Sequence, residues 1–365
     1  MRRAAVRKSR TLVIQTGFLG DLVLTLPLLR ALRAAHPDSP ITLVVREGLG
    51  DLVRGQPGVA ETIVMRKRRG WFERIAPDRA RLVQLRAGGF QTVYLAHRSF
   101  RTGLYAWSTR ARRRIGFAGS PSSWACTESV RYDTERHVGE RLLALARPSA
   151  LETGSALRSP WYVVSAAARG AAERLLDRHG VDPRGDFVAV APGSVWATKR
   201  WTERGFSELA RWAAAQRVVV VLVGTAGERD LCERVRTHAG HRVINLAGRT
   251  SPAELAAILE LSSALFGNDS GPGHLAVAVG TPVVAIFGPT DPSRGFRPLG
   301  DRVLTVDLGT SLACRPCSVH GSRRCPRGHH RCMNDLQPAD VIARIEAWPL
   351  NPLTQSPDRP RAPRG

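Results

Sequence analysis

Short apolar runs alternate along this chain with longer stretches in which apolar residues recur at helical spacing. The first half has strand-like runs at residues 11–15, 41–45 and 92–96, and a helical pattern through residues 28–35 lies between the first two. Strand-sized runs separated by helix-sized segments are typical of β-α-β units around parallel sheets. The pattern therefore predicts an α/β protein.

The same alternation resumes after a polar, alanine-rich helical stretch at residues 165–179. A further helix is predicted at residues 252–261. Strands of this half are predicted at residues 187–191, 218–223, 243–246, 264–266 and 283–287. Two doubly wound halves fit this pattern better than one sheet of ten or more strands. We expect an N-terminal domain over residues 1–160, a C-terminal domain over 161–348 and a disordered, proline-rich tail over 349–365.

Length and charge narrow the class of protein. A chain of 365 residues exceeds what one hydrophobic core usually serves, which agrees with two domains. No apolar run approaches the ~20 residues of a membrane-spanning helix, and no secretory signal is recognisable, so a cytoplasmic protein is expected. The net charge is +23, and residues 1–150 carry 27 Lys and Arg against 11 Asp and Glu. Such a surface favours anionic partners.

Polar, glycine-containing segments follow several of the predicted strands. Ligands of doubly wound sheets bind outside the carboxyl ends of the strands, so these segments are expected to line ligand-binding sites. They are "GFLGD" with Asp21, "PGSVWATKRW" with Ser194, Thr198 and Lys199, "GTAGERD" with Glu228, and "NDSGPGH" with Asp269, Ser270, Gly271 and His274. A glycine-rich turn that opens a helix suits an anion, since the helix N-terminus is electropositive.

Each of these residues also has an ordinary structural explanation. Asp21, Asp269 and Ser270 are residue types that cap helices. Lys199 and Glu228 are also compatible with a solvated surface. His274 at a helix start could instead pair with a neighbouring backbone carbonyl. No single motif distinguishes these structural explanations from a role in ligand binding.

Several segments together resemble glycosyltransferase family 9, the ADP-heptose:lipopolysaccharide heptosyltransferases. The resemblance rests on "GFLGDLVLTLPLLRAL", "APGSVWATKRW", "NLAGRTSPAELAAIL" and "NDSGPGHLAVAVGTPVVAIFGPT", and it runs from about residue 11 to 345. It implies the GT-B architecture, in which two Rossmann-like doubly wound domains face each other across a cleft. It also implies transfer of heptose from ADP-heptose to the inner core of lipopolysaccharide, with inversion. The heptosyltransferase II-like branch is the most similar part of the family.

The resemblance gives the candidate residues specific roles. Asp21 matches the family's aspartate and is predicted to be the catalytic base, because an inverting displacement needs a carboxylate at the acceptor hydroxyl. Glu228 matches the position that hydrogen-bonds the ribose of the donor. Lys199 is predicted to bind phosphate and to assist catalysis. The other donor-binding residues predicted are Ser194, Thr198, Asp269, Ser270, Gly271 and His274. No Asp-x-Asp pair occurs, so no cofactor is expected.

Four of the six cysteines, Cys314, Cys317, Cys325 and Cys332, form a cluster with the spacing C-x2-C-x7-C-x6-C. One C-x2-C knuckle suits zinc, but the second half lacks the usual short pair, so a structural metal is possible without being predicted. Disulfides are not expected in a cytoplasmic protein. The same segment occurs in the heptosyltransferase II-like branch.

Two other classes of function remain compatible with the sequence. A GT-B fold also serves sugar-nucleotide epimerases and hydrolases, which act on the donor alone. The high net positive charge alone would suggest a nucleic-acid-binding protein. Neither zinc-finger spacing nor an RNA-binding strand pattern occurs, however, so no nucleic-acid partner is predicted. The favoured partners are a nucleotide-sugar donor and an anionic glycolipid acceptor. We then expect peripheral contact with the inner face of the cytoplasmic membrane, with basic candidates at Arg66, Lys67, Arg68, Arg69, Arg112, Arg113 and Arg114.

Overall fold

The structure is a computed structural model that describes residues 9–66, 78–147, 157 and 160–353. The chain divides into two compact units, which we call unit 1 (residues 1–157 and 161–163) and unit 2 (residues 158–160 and 164–365). The domain limits predicted at residues 160 and 348 stay a prediction. Lys67, Arg68, Arg69 and most of the predicted tail lie outside the described residues.

Unit 1 is built on a parallel six-stranded sheet. Its strands are β1 (Thr11–Gln15), β2 (Ile41–Arg46), β3 (Glu61–Met65), β4 (Thr92–Leu95), β5 (Arg113–Phe117) and β6 (Glu128–Val130). The helices described are α1 (Leu19–Val23), α2 (Leu26–Ala35), α3 (Gly50–Val53), α4 (Arg79–Ala87), α5 (Phe100–Ser108) and α6 (Val138–Ala144). The strand order β3-β2-β1-β4-β5-β6 is that of a doubly wound sheet, whose direction of winding reverses between β1 and β4.

Unit 2 repeats this topology. Its strands are β7 (Phe187–Ala191), β8 (Val219–Leu222), β9 (Val243–Asn245), β10 (Ala264–Asn268), β11 (Val283–Ile286) and β12 (Val303–Val306). Its helices are α7 (Ala166–Arg178), α8 (Glu203–Ala215), α9 (Arg229–Ala239), α10 (Pro252–Leu261), α11 (Gly271–Ala278), α12 (Arg331–Asn334) and α13 (Pro338–Glu346). The sheet order is β12-β11-β10-β7-β8-β9, so the winding reverses between β7 and β10.

The central strands could be predicted from the sequence because burial along their whole length makes them continuous apolar runs. Every residue of β1 and of β7 is buried, as expected where helices cover both faces of a parallel sheet. Ile14 pairs with Val44 on one side and with Leu95 on the other, which aligns the carboxyl ends of β1, β2 and β4. The loops that follow these strands therefore meet at one edge of the sheet.

All strands predicted from apolar runs are present, but four further strands in the described part of the chain were not predicted. β3, β5, β6 and β12 lie at or near the edges of the two sheets, where fewer positions are buried and the sequence is more polar. The break after Phe266 was also placed too early. β10 continues to Asn268, and Gly271 to His274 belong to the first turn of α11 rather than to a loop.

Candidate functional site

Asp21 lies in unit 1 at the point where the winding of the sheet reverses. It is the third residue of α1, which begins directly after β1, so Asp21 is not the helix N-cap considered from the sequence. Its Oδ2 accepts a hydrogen bond from the Phe18 N–H at 3.0 Å. A Cβ at Gly17 would lie 2.6 Å from this oxygen, so a residue without a side chain is needed there. The carboxylate is half-buried and held at the sheet edge.

The loop after β4 brings His97 to the same edge. Its Nδ1 lies 3.1 Å from Thr16 Oγ1, in the loop after β1, and 3.2 Å from Thr102 Oγ1. Burial lowers the pKa of His97, the charge of Asp21 opposes this effect, and the nearby Arg101 and Arg46 add to it. No sequence motif marks His97, so its position near Asp21 is apparent only in the folded chain.

In unit 2, Lys199 and Asp269 form a buried ion pair. The Lys199 Nζ lies 2.5 Å from Asp269 Oδ2, and the two side chains are 11% and 3% exposed. The same Oδ2 accepts a hydrogen bond from Thr290 Oγ1 at 2.8 Å, and Thr290 is also buried. The loops after β7, β10 and β11 therefore converge on one carboxylate, which fixes the position of the lysine ammonium. Thr290 was not predicted, although "FGPT" follows β11 at the corresponding strand end.

Asn268 holds the loop of Lys199 against the end of β10. Its Oδ1 accepts from the Trp201 N–H at 2.9 Å, and its Nδ2 donates to the Pro192 carbonyl at 2.8 Å. These bonds join both ends of the loop between β7 and α8 to the neighbouring strand. Because Asn268 is 2% exposed, each of its hydrogen bonds is made inside the protein and would be costly to leave unmade.

The start of α11 carries the polar residues that the sequence singled out. Ser270 is the helix N-cap, but its side chain does not cap the helix, and its buried Oγ makes no hydrogen bond with any residue in the described part of the chain. Pro272 has no N–H, and the Gly273 N–H donates to the Ser270 carbonyl. The first turn thus offers fewer free backbone donors than a helix start without proline, while the Ser270 hydroxyl remains a buried donor. His274 is buried in the same turn.

Glu228 lies at the start of α9, beside the loop that follows β7. Its Oε2 accepts hydrogen bonds from Thr225 N–H at 2.8 Å and from Thr225 Oγ1 at 2.9 Å. The other carboxylate oxygen approaches Gly193 so closely that a Cβ there would lie 2.0 Å away. Glu228 is therefore adjacent to the segment that carries Ser194, Thr198 and Lys199.

Ser194 and Thr198 are buried in this segment, but the Thr198 hydroxyl is already engaged. Thr198 Oγ1 donates to the Ser322 carbonyl at 2.9 Å and accepts from the Ser322 N–H at 2.8 Å. The Thr198 carbonyl lies 2.8 Å from His330 Nε2. Thr198 therefore connects the loop that carries Lys199 to Ser322 and His330, which lie in the segment that contains the cysteine cluster. Contact between Thr198 and a donor stays a prediction.

The cysteine-rich segment, residues 312–332, is tied to the site by Arg315. Its Nη2 donates to Asp307 Oδ2 at 2.9 Å and to the Thr290 carbonyl at 3.4 Å, and the Cys317 N–H donates to the Pro289 carbonyl at 3.1 Å. These bonds support the loop that presents Thr290 to Asp269. From the spacing of its cysteines the segment was considered only as a possible metal site, and this supporting role was not predicted.

All six cysteines are free thiols in the structure. Cys314 Sγ lies 3.9 Å from His329 Nε2. Burial favours a higher pKa for Cys325, but hydrogen bonds from backbone N–H groups of residues 327–330 outweigh it and lower the pKa. Within residues 9–66, 78–147, 157 and 160–353, no three His, Cys, Asp or Glu side chains are arranged to hold a metal ion.

Comparison with known proteins identifies the family. The sequence model of glycosyltransferase family 9 (heptosyltransferase) matches residues 79–325, more than half of the chain. This chain belongs to glycosyltransferase family 9. As a member of this family it is a glycosyltransferase of the heptosyltransferase group, in agreement with the resemblance seen in its motifs.

Full-length relatives support this assignment. The chain is 28% identical to lipopolysaccharide heptosyltransferase 1 of Pseudomonas aeruginosa, over 94% of this chain and 99% of the relative. It is 25% identical to lipopolysaccharide heptosyltransferase 2 of Escherichia coli K12, over 93% and 98%. The solved structure of E. coli ADP-heptose lps heptosyltransferase II superposes with a TM-score of 0.74 at 24% identity, covering 93% of this chain and 98% of that one.

These comparisons confirm the family and the GT-B fold of the chain. Relatives with the names heptosyltransferase 1 and heptosyltransferase 2 match at similar identity, so the narrower likeness to the second branch stays a prediction. The predicted roles of individual residues in this member of family 9 also stay predictions.

Proposed function

We propose that this family 9 glycosyltransferase moves a heptose from ADP-heptose to the inner core of lipopolysaccharide, with inversion at the anomeric carbon. The observation that carries the proposal is the buried pair of Lys199 and Asp269, which fixes an ammonium group at the carboxyl edge of a doubly wound sheet. A fixed cation at that edge suits a nucleoside diphosphate. The names of the full-length relatives supply the sugar and the acceptor.

Donor binding is assigned to unit 2. Lys199 stabilises the negative charge that develops on the diphosphate as ADP departs, and the Ser270 hydroxyl donates to a phosphate oxygen. Glu228 accepts from the ribose hydroxyls beside Gly193. Asp269 acts through Lys199, because its Oδ2 is already shared between the lysine ammonium and Thr290. Ser194, Thr198, Gly271 and His274 complete the donor site in this proposal.

Base catalysis is assigned to Asp21 of unit 1. The acceptor hydroxyl transfers its proton to the carboxylate as its oxygen attacks the anomeric carbon, and the bond to the diphosphate oxygen breaks with ADP as the leaving group. Asp21 has one oxygen, Oδ2, engaged by the Phe18 N–H, which orients the carboxylate. Arg101 and Arg46, which lie near His97, place positive charge around the anionic acceptor.

The acceptor is a glycolipid, so we further propose peripheral contact with the inner face of the cytoplasmic membrane. No helix among the described residues has both the length and the apolar character required to cross a bilayer. Attachment then depends on surface residues. The arginines predicted from the sequence alone are only partly available, because Arg113 pairs with Glu128 at 2.8 Å and Arg114 donates to the Ala125 carbonyl at 2.6 Å.

Incubation with ADP-heptose and graded lipid A–core acceptors tests the proposal. The expected product is an acceptor extended by one heptosyl residue, formed with stoichiometric ADP. Asp21→Asn keeps an oxygen for the Phe18 N–H but removes the base, so it should bind ADP normally and lose most of the transfer rate. Release of free sugar at the same rate without acceptor would identify a hydrolase instead, and unimpaired turnover by Asp21→Asn would remove Asp21 from catalysis.

A further inference from the structure

Unit 1 exposes three large aromatic side chains on, or packed against, helix α5. Phe100 and Trp107 lie seven residues apart on α5 and therefore share a helix face. The Trp124 ring lies 5.5 Å from the Phe100 ring, and its indole covers Gly103, where a Cβ would lie 3.0 Å from Nε1. Phe100, Trp107 and Trp124 are 53%, 61% and 47% exposed. We call these three side chains the aromatic patch.

Exposed aromatic groups of this kind need an explanation, because contiguous apolar surface on a water-soluble domain usually marks an interaction site. Tryptophan in particular has an apolar body and a polar N–H, which suits the boundary between lipid and water. Helix α5 follows β4 directly, so Phe100 at its start lies at the same sheet edge as Asp21. The aromatic patch thus borders the edge to which the proposed acceptor must come.

The charge around the patch has one sign. Residues 98–127 contain six arginines and no aspartate or glutamate. The Arg110 N–H donates to the Trp107 carbonyl at 3.2 Å, and Arg114 Nε donates to the carbonyl of Ala125, the residue after Trp124. Arg112 is exposed between them in the sequence. Arg110, Arg112 and Arg114 therefore lie close to the aromatic side chains along the chain, whereas the nearest acidic residue along the chain, Glu128, is paired with Arg113.

We propose that the aromatic patch and its surrounding arginines dock unit 1 on an anionic phospholipid bilayer. The aromatic rings enter the headgroup region, and the guanidinium groups bind lipid phosphates at the surface. This inference rests on the proposed function, in which the acceptor is anchored in a membrane. It adds the surface that meets the lipid, and it assigns affinity to aromatic groups as well as to charge.

Vesicle co-sedimentation of the full chain tests the proposal. Vesicles of phosphatidylglycerol and phosphatidylcholine should bind the protein, and pure phosphatidylcholine should not. Arg110→Gln/Arg112→Gln should weaken partitioning by about 25-fold, which corresponds to about fivefold for each arginine. Trp107→Ser should weaken it by about tenfold, and tryptophan fluorescence should shift less on binding. The exposed residues Val319 and Arg242 of unit 2 provide the controls Val319→Ser and Arg242→Gln, which should bind as the wild type does.

A second readout separates this inference from the proposed function. With a deacylated, water-soluble core acceptor, wild type and docking variants should transfer heptose equally, because no bilayer is involved. If the wild type does not transfer heptose to that acceptor, the proposed function is wrong. The vesicle assay then still tests the docking surface independently. Docking by this surface is overturned if the variants bind vesicles like the wild type, or if neutral vesicles bind equally. It is also overturned if Arg110 and Arg112 promote binding to double-stranded DNA and vesicles are not bound.

Discussion

Replacing Lys199 with methionine removes the ammonium but keeps a side chain of similar length, and it leaves Asp269 buried without its counterion. The Nζ to Oδ2 distance is 2.5 Å, and Asp269 is 3% exposed. At an effective dielectric constant of about 20, the pair attraction is roughly 6–7 kcal/mol, of which desolvation offsets a large part. Removing one partner of such a pair costs about 3–5 kcal/mol. For a unit of this size, the melting temperature should fall by roughly 6–20 °C.

A double-mutant cycle with Asp269→Asn isolates the interaction between the two side chains. The asparagine keeps an acceptor for Thr290 Oγ1 while removing the charge. If the pair acts as one unit, Lys199→Met/Asp269→Asn should be less destabilised than the sum of the single variants, by about 2–4 kcal/mol in urea unfolding. The exposed pair of Arg204 and Glu208 on α8 is the control, with an expected coupling of about 0.5 kcal/mol or less.

The same variants separate stability from donor binding. ADP affinity measured by calorimetry should fall in Lys199→Met, because the phosphate loses its cation, and also in Asp269→Asn, because the ammonium loses its fixed position. Additive unfolding energies for the Lys199 and Asp269 variants would show that the pair is not coupled as the structure indicates. Unchanged ADP affinity in both single variants would refute the claim that this pair positions a phosphate-binding group.

Three further predictions concern other parts of the molecule. Gly193→Ala should push the Glu228 carboxylate aside and weaken ADP binding about tenfold by calorimetry, while the unfolding free energy falls by only about 1 kcal/mol. The pKa of His97 lies below its ordinary value in the folded protein, so its contribution to stability is complete above about pH 6.5 and is lost as the pH falls through the folded pKa. His97→Asn should therefore flatten the fall in melting temperature between about pH 7.5 and 5.5. An unchanged slope would count against this role of His97. Mass spectrometry after brief alkylation at about pH 7.5 should find Cys325 modified first and Cys232 last, because burial raises the pKa of Cys232 to about 12, and the reverse order would contradict the thiol environments.

The central strands of both sheets could be predicted because burial on both faces leaves a continuous apolar signal, as in β7 and β10. The strands at the margins could not, since β6 has the sequence ESV and pairs on one side only. A short polar segment of that kind carries no period that separates a strand from a loop. Local pattern therefore predicts the middle of a doubly wound sheet better than its edges.

In the candidate site, too, residues marked by a local motif could be predicted and residues that depend on distant contacts could not. Lys199 and Asp269 were found because each follows a strong strand at a recognisable motif, although their pairing was not foreseen. Thr290 and His97 were missed because their importance depends on contacts across 21 and 81 residues of sequence, to Asp269 and Thr16 respectively. Such contacts arise from the order of strands in the sheets, which a single sequence does not display.

The most direct measurement of the central claim is a single reaction of the purified chain with ADP-heptose and a lipid A–Kdo–heptose acceptor, followed by mass spectrometry and NMR of the product. We expect one added heptosyl residue, linked with inverted configuration, equal amounts of ADP, and loss of this product in Lys199→Met and Asp21→Asn. A product with retained configuration, or consumption of ADP-heptose with no change in the mass of the acceptor, would contradict it.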